Sequence, residues 1–494
     1  VNLPLITRAQ EYNDKIAIAT TDATFTYGDL LHTSSQIATY LLQNTEDLQE
    51  QRVAFLIPPG FEYVATQWGI WRAGGIAVPL CMSHPRPELE YVIINSGASI
   101  IVAHPNFEGI LRSLAQAHNL RFILTSETLP NHVCPLPEVN ITRRALILYT
   151  SGTTGKPKGV VTTHHNIQAQ VTSLITAWEW TSSDRILHVL PLHHIHGIVN
   201  VLTCALWAGA ECHMLSKFDA ETVWNRICDG DLTLFMAVPT IYVKLIAAWE
   251  NASRERQKRM TAGCAKMRLM VSGSAALPVQ VLEKWQSISG HFLLERYGMT
   301  EIGMALSNPL HGQRFSGYVG QPLPQVEVRL VDESGELVPP GIPGEIQVKS
   351  PGVFLEYWQN PQATAKAFRD GWFCTGDTAV VENGNYRILG RMSVDIIKTG
   401  GYKVSALEIE EVLRSHPDIQ ECAVVGVADP EWGERVCAAL ILQPERQLTL
   451  ESFRIWAKEQ LAVYKIPTRI LTLEELPRNA MGKVTKPRVV ELFH

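Results

Sequence analysis

The sequence predicts an α/β protein: a large N-terminal domain of layered α/β subdomains that includes a β-rich subdomain, followed by a small α+β C-terminal domain. Three observations carry this reading. Short β-branched runs alternate with helical periodicity through most of the chain, strands and turns replace helices over 326–390, and a compact βα pattern resumes after Arg391. The length, 494 residues, is about three times that of the commonest domain, so two or three folded units are expected. The boundaries read as 1–391, with the β-rich part at about 326–390, and 392–494.

Taken in order, the strand-like runs of the first part are RVAFLIP (52–58), a turn-like AIAVPL pattern near Gly75, SIIVAH (99–104), RFILTS (121–126), ALILYTSG (145–152) and RILHVLPL (185–192). The uncharged stretch 197–210 is shorter than the ~20 residues a bilayer crossing needs, so it reads as a buried core element. The β-rich part contributes VEVRLV, GEIQVKS, WFCTGD and NYRILG. Beyond Arg391, Ser405 and Glu408 form an S-x-x-E capping box for the helix LEIEEVLRSH. The strands ECAVVGV and RVCAALIL follow, then an amphipathic segment carrying Phe453, Trp456 and Leu461.

Composition excludes several function classes. Hydrophobic residues make up 46% and charged residues 19%, with ordinary Gly and Pro content, which rules out a disordered, collagenous or coiled-coil chain. A net charge of −6 without a Lys/Arg block gives nucleic acid no electrostatic footprint. The nine cysteines include no CxxC pair, so neither a disulfide framework nor a zinc ribbon is indicated, and a reducing, cytoplasmic compartment is expected. The chain begins at Val1 rather than Met, which leaves room for a targeting segment removed upstream.

The first chemistry lies in LYTSGTTGKPKG (148–159). Hydroxyls and backbone N–H groups of Thr150, Ser151, Gly152, Thr153, Thr154 and Gly155 can wrap phosphoryl oxygens, with Lys156 and Lys158 neutralising charge. The alternative is a plain turn between strand and helix. It is not a Walker loop, because Pro157 follows Lys156 where a magnesium-binding hydroxyl is required.

This run, with PLHHIHG (191–197), VSGSAAL (271–277), ERYGMTE (295–301), WFCTGD (372–377), Gly390-Arg391 and PRNAMGKV (477–484) in that order, resembles the adenylate-forming superfamily of acyl-CoA synthetases, peptide-synthetase adenylation domains and firefly luciferase. The resemblance spans nearly the whole chain. It implies two half reactions: a carboxylate attacks the α-phosphate of ATP and pyrophosphate leaves, then the thiol of coenzyme A displaces AMP. It also implies a mobile C-terminal domain.

Residue by residue, the resemblance assigns Lys483 as the catalytic lysine bridging carboxylate and α-phosphate, and Glu301 to Mg2+. Tyr297, Gly273, Ser274 and Ala275 become walls of the adenine pocket, with Thr300 beside the α-phosphate. Asp377 and Arg391 become ribose contacts, and His194 a gate between acyl pocket and thiol tunnel. Gly400, Gly401, Tyr402 and Lys403 line the pantetheine tunnel. The histidines 188, 193, 194 and 196 lack the cysteine or carboxylate needed to complete a zinc site; for His193 and His196, polar packing stands beside a functional role. The stretch after Arg391 is one residue longer than the usual pattern, leaving the hinge open among Ser393, Val394 and Asp395.

Arg296 is the most informative position. Many relatives carry Gly there, whereas Arg fills volume and offers a fork matched to a carboxylate. An ion pair near 4 Å at an effective dielectric of about 20 is worth roughly 4 kcal/mol, against about 0.8 kcal/mol for a buried methylene. A second carboxylate should therefore beat an alkyl tail, and malonate is the shortest acid that presents one end to ATP and the other to Arg296. The combination resembles malonyl-CoA synthetases. Methylmalonate suits the same pocket where Met304, Ser307 or the loop 237–240 leaves room for a methyl. The competing expectations are an Arg296 paired internally with Glu295, a short- or medium-chain monocarboxylate ligase, and a non-catalytic nucleotide-binding relative.

Overall fold

The computed structural model describes residues 3–150, 156–399, 402–479 and 482–494. Two units are distinguished: 1–314 with 322–327 and 349–371, and 315–321 with 328–348 and 372–494.

The first unit is built on two sheets. In one, the strands run in the order Gln321–Pro322, Gly303–Ser307, Leu294–Met299, Leu269–Ser272, Leu234–Ala237, Arg185–His188, Glu211–Met214, Ile16–Ala19 and Thr24–Thr26. The six strands from Leu294–Met299 to Ile16–Ala19 are mutually parallel, and Gly303–Ser307 and Thr24–Thr26 flank them antiparallel. Leu234–Ala237 and Leu269–Ser272 are buried at every residue, as expected where helices cover both faces. The other sheet runs Glu356–Tyr357, Lys158–Thr163, Arg144–Thr150, Ile76–Pro79, Arg52–Leu56, Ile100–Ala103 and Arg121–Leu124, which together with Arg185–His188 of the first sheet accounts for the early runs read from β-branched alternation.

The stretch 197–210 is a core element. A π-helical segment His196–Thr203, buried throughout, continues into the helix Cys204–Ala208, and Gly209 ends it at φ 71°. Among the described residues no helix is long and apolar enough to cross a membrane.

The second unit contains the β-rich texture. Gly344–Lys349 pairs antiparallel with Trp372–Glu382, which pairs in turn with Asn385–Arg391. A further sheet runs Tyr402–Ser405, Ile396–Thr399, Gly433–Leu442 and Ile419–Asp429, with Arg469–Thr472 on the far side of Gly433–Leu442. Phe453 and Ala457 of the helix Leu450–Gln460 are fully buried against this sheet's core.

One local expectation is corrected. Ser405 caps the helix Ala406–Leu413 by accepting from the Glu408 amide at 3.3 Å, but the reciprocal half of the box is missing. The Glu408 carboxylate instead takes Arg387 at 2.8 Å and Lys465 at 3.4 Å. Two cations outcompete one backbone N–H.

Behind the same helix, Lys486 Nζ lies 2.5 Å from Asp395 and 2.8 Å from Glu410, all three side chains being largely buried. Burial alone would lower the pKa of Lys486, but the two carboxylates outweigh it and raise it. Lys486→Met leaves two buried carboxylates without their cation, so the unfolding midpoint of the full chain should fall by the equivalent of ~3–5 kcal/mol. A change in urea midpoint too small to distinguish from that of a surface lysine variant would show the triad to be dispensable.

Candidate active site

The parallel strands of the first sheet end side by side, so the loops that follow them gather at one edge, the usual binding edge of an α/β sheet. These loops are 189–195 after Arg185–His188, the Val238 turn after Leu234–Ala237, and 273–278 after Leu269–Ser272. The strand Leu294–Met299 and the turn 300–302 complete the edge. PLHHIHG, the Ala237–Thr240 loop, GSA and YGMTE, separate in sequence, thus become neighbours.

Register explains the most consequential contact. Ser272 pairs with Glu295, so the next residues, Gly273 and Arg296, face each other. A Cβ on Gly273 would lie 2.3 Å from the Arg296 Cζ and 2.4 Å from its Nε. Any larger residue here would have to displace the guanidinium, whereas the backbone itself makes no demand for glycine, its φ being outside the left-handed region.

The Arg296 side chain is buried, with the residue 4% exposed. Its Nη2 reaches Ser274 Oγ at 3.5 Å, and Ser274 Oγ contacts His196 Nδ1 at 3.0 Å. Ser274 sits at φ 68°, the strained side of the map for a non-glycine residue. Arg296 Nε is buried without a hydrogen-bond partner, and among the described residues no carboxylate pairs with this guanidinium. Burial pulls its pKa down to about 9, which still leaves it cationic at neutral pH. The internal pairing with Glu295 considered above does not form. His196 joins the Arg296 cluster, whereas the His193 ring lies with its centroid 6.2 Å from that of His84.

Gly273→Ala should push the guanidinium out of place while leaving backbone conformation acceptable. Overpacking of this kind costs roughly 1–3 kcal/mol, so we expect KM for the acid to rise about 10- to 100-fold. An unchanged KM with normal turnover would show that Arg296 does not meet the substrate.

Around Glu301 a second cluster forms. This carboxylate is 6% exposed, Tyr357 OH donates to its Oε1 at 2.8 Å, and the Phe354 N–H donates to its backbone carbonyl at 2.7 Å. Lys158 Nζ sits over the Tyr357 ring, 4.5 Å from its centroid. Tyr357 escaped sequence reasoning, since it lies 56 residues from Glu301 and in no recognisable motif. Thr300 is buried beside it in sequence, and His194 Nδ1 accepts the His196 N–H at 3.4 Å.

The phosphate-loop residues Ser151, Gly152, Thr153, Thr154 and Gly155 lie outside the described residues. Their flanks are antiparallel neighbours, Arg144–Thr150 and Lys158–Thr163 with Thr150 opposite Lys158, so the loop joins strand to strand rather than strand to helix. Lys156 Nζ lies 5.6 Å from the Tyr91 ring centroid, and Tyr91 OH donates to the Pro157 carbonyl at 2.8 Å.

In the second unit Arg391 Nε donates to Asp377 Oδ1 at 2.8 Å. Lys483 is exposed on a hairpin in which the Asn479 N–H donates to the Lys483 carbonyl at 2.9 Å and the Lys483 N–H to Asn479 Oδ1 at 3.1 Å. Asp395, one of three hinge candidates, is pinned: its N–H donates to the Arg391 carbonyl at 2.7 Å, its Oδ2 accepts from the Arg391 N–H at 2.9 Å, and Lys486 holds Oδ1. Ser393 is exposed.

Gly400 and Gly401 lie outside the described residues, as does the side chain of Lys403. Tyr402 is exposed and stacks on Tyr464 with centroids 4.2 Å apart. Among the described residues no group of three His, Cys, Asp or Glu could hold a metal on its own.

Residues 5–358 match the model of the AMP-binding enzyme family, and 408–483 match that of the AMP-binding enzyme C-terminal domain. The chain belongs to the AMP-binding enzyme family. This AMP-binding enzyme is 45% identical to a malonate–CoA ligase of Xenopus laevis, named mitochondrial, over 100% of this chain and 92% of that protein. It is 42% identical to a malonate–CoA ligase of Arabidopsis thaliana over 96% and 85% of the two chains. Among solved structures it resembles ATP-bound MatB from Rhodopseudomonas palustris, with a TM-score of 0.91, 32% identity and coverage of 100% and 99%. The mixed α/β fold expected from the sequence is the one observed, and use of ATP and CoA follows from the family.

Proposed function

We propose that this AMP-binding enzyme is an ATP-dependent malonate–CoA ligase that makes malonyl-AMP with release of pyrophosphate and passes the malonyl group to CoA. The observation that carries the reading is the buried Arg296 guanidinium with no carboxylate partner among the described residues. A buried cation without a counter-ion costs several kcal/mol, and the far carboxylate of a diacid removes that cost where an alkyl tail cannot. Full-length relatives named malonate–CoA ligase support the same reading.

The chain's own groups divide the work. Arg296, steadied by Gly273 beneath it and by Ser274 and His196 beside it, holds the far carboxylate, so the near one is oriented for in-line attack. The obstacle is the approach of an anion to a polyanion, so cations that bind the transition state more tightly than the ground state supply most of the acceleration. Lys483 serves the α-phosphate and attacking carboxylate, with Thr300 beside the α-phosphate; Lys156, Lys158 and the loop 150–155 serve the phosphates. Tyr297 and the segment 273–275 wall the adenine. Asp377, paired with Arg391, takes the ribose hydroxyls as a carboxylate acceptor. His194 gates the acyl pocket, and Tyr402 with Lys403 receives the pantetheine arm.

Glu301 suits Mg2+: it is a hard, buried carboxylate, and among the described residues there is no further ligand cluster, which fits an ion that draws its other ligands from nucleotide phosphates and water. When bound, the ion neutralises phosphate charge. Rotation of the small domain, 392–494, between the half reactions is assigned to Ser393, exposed beside the pinned Asp395. The compartment is a reducing one, cytoplasmic or, as the Xenopus relative is named, mitochondrial; all nine cysteines are free thiols.

The test is pyrophosphate release with ATP, Mg2+ and CoA across malonate, methylmalonate, succinate, acetate and butyrate. Malonate should exceed butyrate in kcat/KM by at least about 10²-fold. Parity between the two would return the enzyme to the monocarboxylate ligases.

A further inference from the structure

The short strand Glu356–Tyr357 lies antiparallel to Lys158–Thr163, the strand that leaves the phosphate loop, with Tyr357 opposite Val160. The pairing extends to either side: the Leu355 N–H donates to the Val161 carbonyl at 2.8 Å and the Trp358 N–H to the Gly159 carbonyl at 2.7 Å. Arg144 Nη2 closes on Glu356 Oε1 at 2.8 Å, and Thr364 Oγ1 accepts the Tyr357 N–H at 2.9 Å. The backbone of Tyr357 is therefore fixed. Its ring is fixed as well, since Phe354 meets it edge-on with centroids 4.7 Å apart and Phe368 stacks on Phe354 from behind at 5.7 Å. Tyr357 is buried.

Two groups of the nucleotide site meet on this one ring. At its rim, the phenol OH donates to Glu301 Oε1 at 2.8 Å, while the Phe354 N–H donates to the Glu301 carbonyl at 2.7 Å, so the carboxylate and the backbone of Glu301 are tied to a single segment. On its face, Lys158 Nζ stands 4.5 Å from the centroid, within cation–π range. The two contacts reinforce each other: a phenol that donates to a carboxylate is polarised, which enriches the ring face that the ammonium meets.

We infer that Tyr357 is a positioning residue that couples the nucleotide to its metal: its hydroxyl sets the Glu301 carboxylate for Mg2+, and its ring sets the Lys158 ammonium for the phosphates. The inference rests on the proposed roles of Glu301 and Lys158 and deepens them. Tyr357 acts without touching substrate, and its two tasks are chemically separable. Removing only the oxygen frees the carboxylate but leaves the ring beneath Lys158. Removing the ring loses both contacts.

The experiment measures binding without turnover. The full chain is given an ATP analogue with a methylene bridge between its α- and β-phosphorus atoms, with neither acid nor CoA present; Mn2+ is the metal probe, followed by electron paramagnetic resonance, and calorimetry gives the analogue's affinity with and without metal. Tyr357→Phe should weaken Mn2+ binding in the nucleotide complex by about 10- to 100-fold, the usual cost of losing a hydrogen-bond partner behind a metal ligand. Its metal-free affinity for the analogue should change by less than about twofold, because the cation–π contact remains. Tyr357→Leu should show the same metal defect and, in addition, a metal-free affinity lower by about two- to fivefold. Unchanged Mn2+ binding in Tyr357→Phe, or equal weakening with and without metal as a packing defect would give, overturns the inference, and the Phe variant decides this even where the Leu variant does not fold. Glu301→Gln separates the two levels. If it binds Mn2+ as tightly as the unmodified chain, the assignment of Glu301 to the metal falls and the role of Tyr357 with it; if it loses Mn2+ while Tyr357→Phe does not, the role of Tyr357 alone is overturned.

Discussion

Replacing Arg296 with Gly should lower kcat/KM for malonate by about 10³-fold and raise the relative use of butyrate. The magnitude comes from one pair of charges: about 4 kcal/mol at an effective dielectric near 20, where each 1.4 kcal/mol is tenfold. The sign for butyrate comes from two changes acting together. Deleting the guanidinium removes a buried cation that no side chain among the described residues neutralises, and it opens the volume now filled above Gly273. Each buried methylene of the tail then gains about 0.8 kcal/mol. Arg296→Lys should recover only part of the loss, because an ammonium keeps the charge but not the two-pronged fork, and it cannot lie flat against Gly273. The measurement is initial-rate pyrophosphate release with both acids. A variant that still prefers malonate by the original ratio would remove Arg296 from substrate recognition and with it the physical basis for choosing a diacid.

Lys483→Ala should have the second large effect, and an asymmetric one. Loss of a single preorganised donor to a developing charge costs ~10²–10³ in rate, and loss of a full positive charge lies at the upper end of that range. Adenylation, followed as malonate-dependent pyrophosphate release, should therefore fall by about 10³-fold, while CoA thioester formation from supplied malonyl-AMP should change less than threefold. The hairpin itself should survive, since its closing bonds run through the Asn479 side chain and the backbone rather than the Lys483 ammonium. Equal losses in the two half reactions would assign Lys483 to general folding or binding.

Much of the architecture was legible because it depends on short-range pattern. The runs at 52–58, 99–104, 121–126 and 185–192 became strands, and the uncharged 197–210 stretch became a buried helix. The capping box at Ser405 was half right: Ser405 caps, but Arg387 and Lys465, distant in sequence, claim the Glu408 side chain. Tyr357 beneath Glu301 carried no local signal at all, and the neighbourhood of His193 was left open because histidine packs and reacts with the same atoms.

By itself the sequence determined the order of the phosphate, adenine, ribose and lysine motifs, the layered α/β class, and the presence of an arginine where a small residue is common. Those features reside in residue identity and in spacings of a few positions. Only the tertiary structure decided that Gly273 lies under Arg296, that no carboxylate among the described residues answers that guanidinium, that Tyr357 holds Glu301, and that His196 reaches Ser274 beside Arg296. Each of these is set by strand register or by loops converging from separate strands. Whether a charge is buried and what it faces depends on packing between residues tens of positions apart, which no local periodicity encodes.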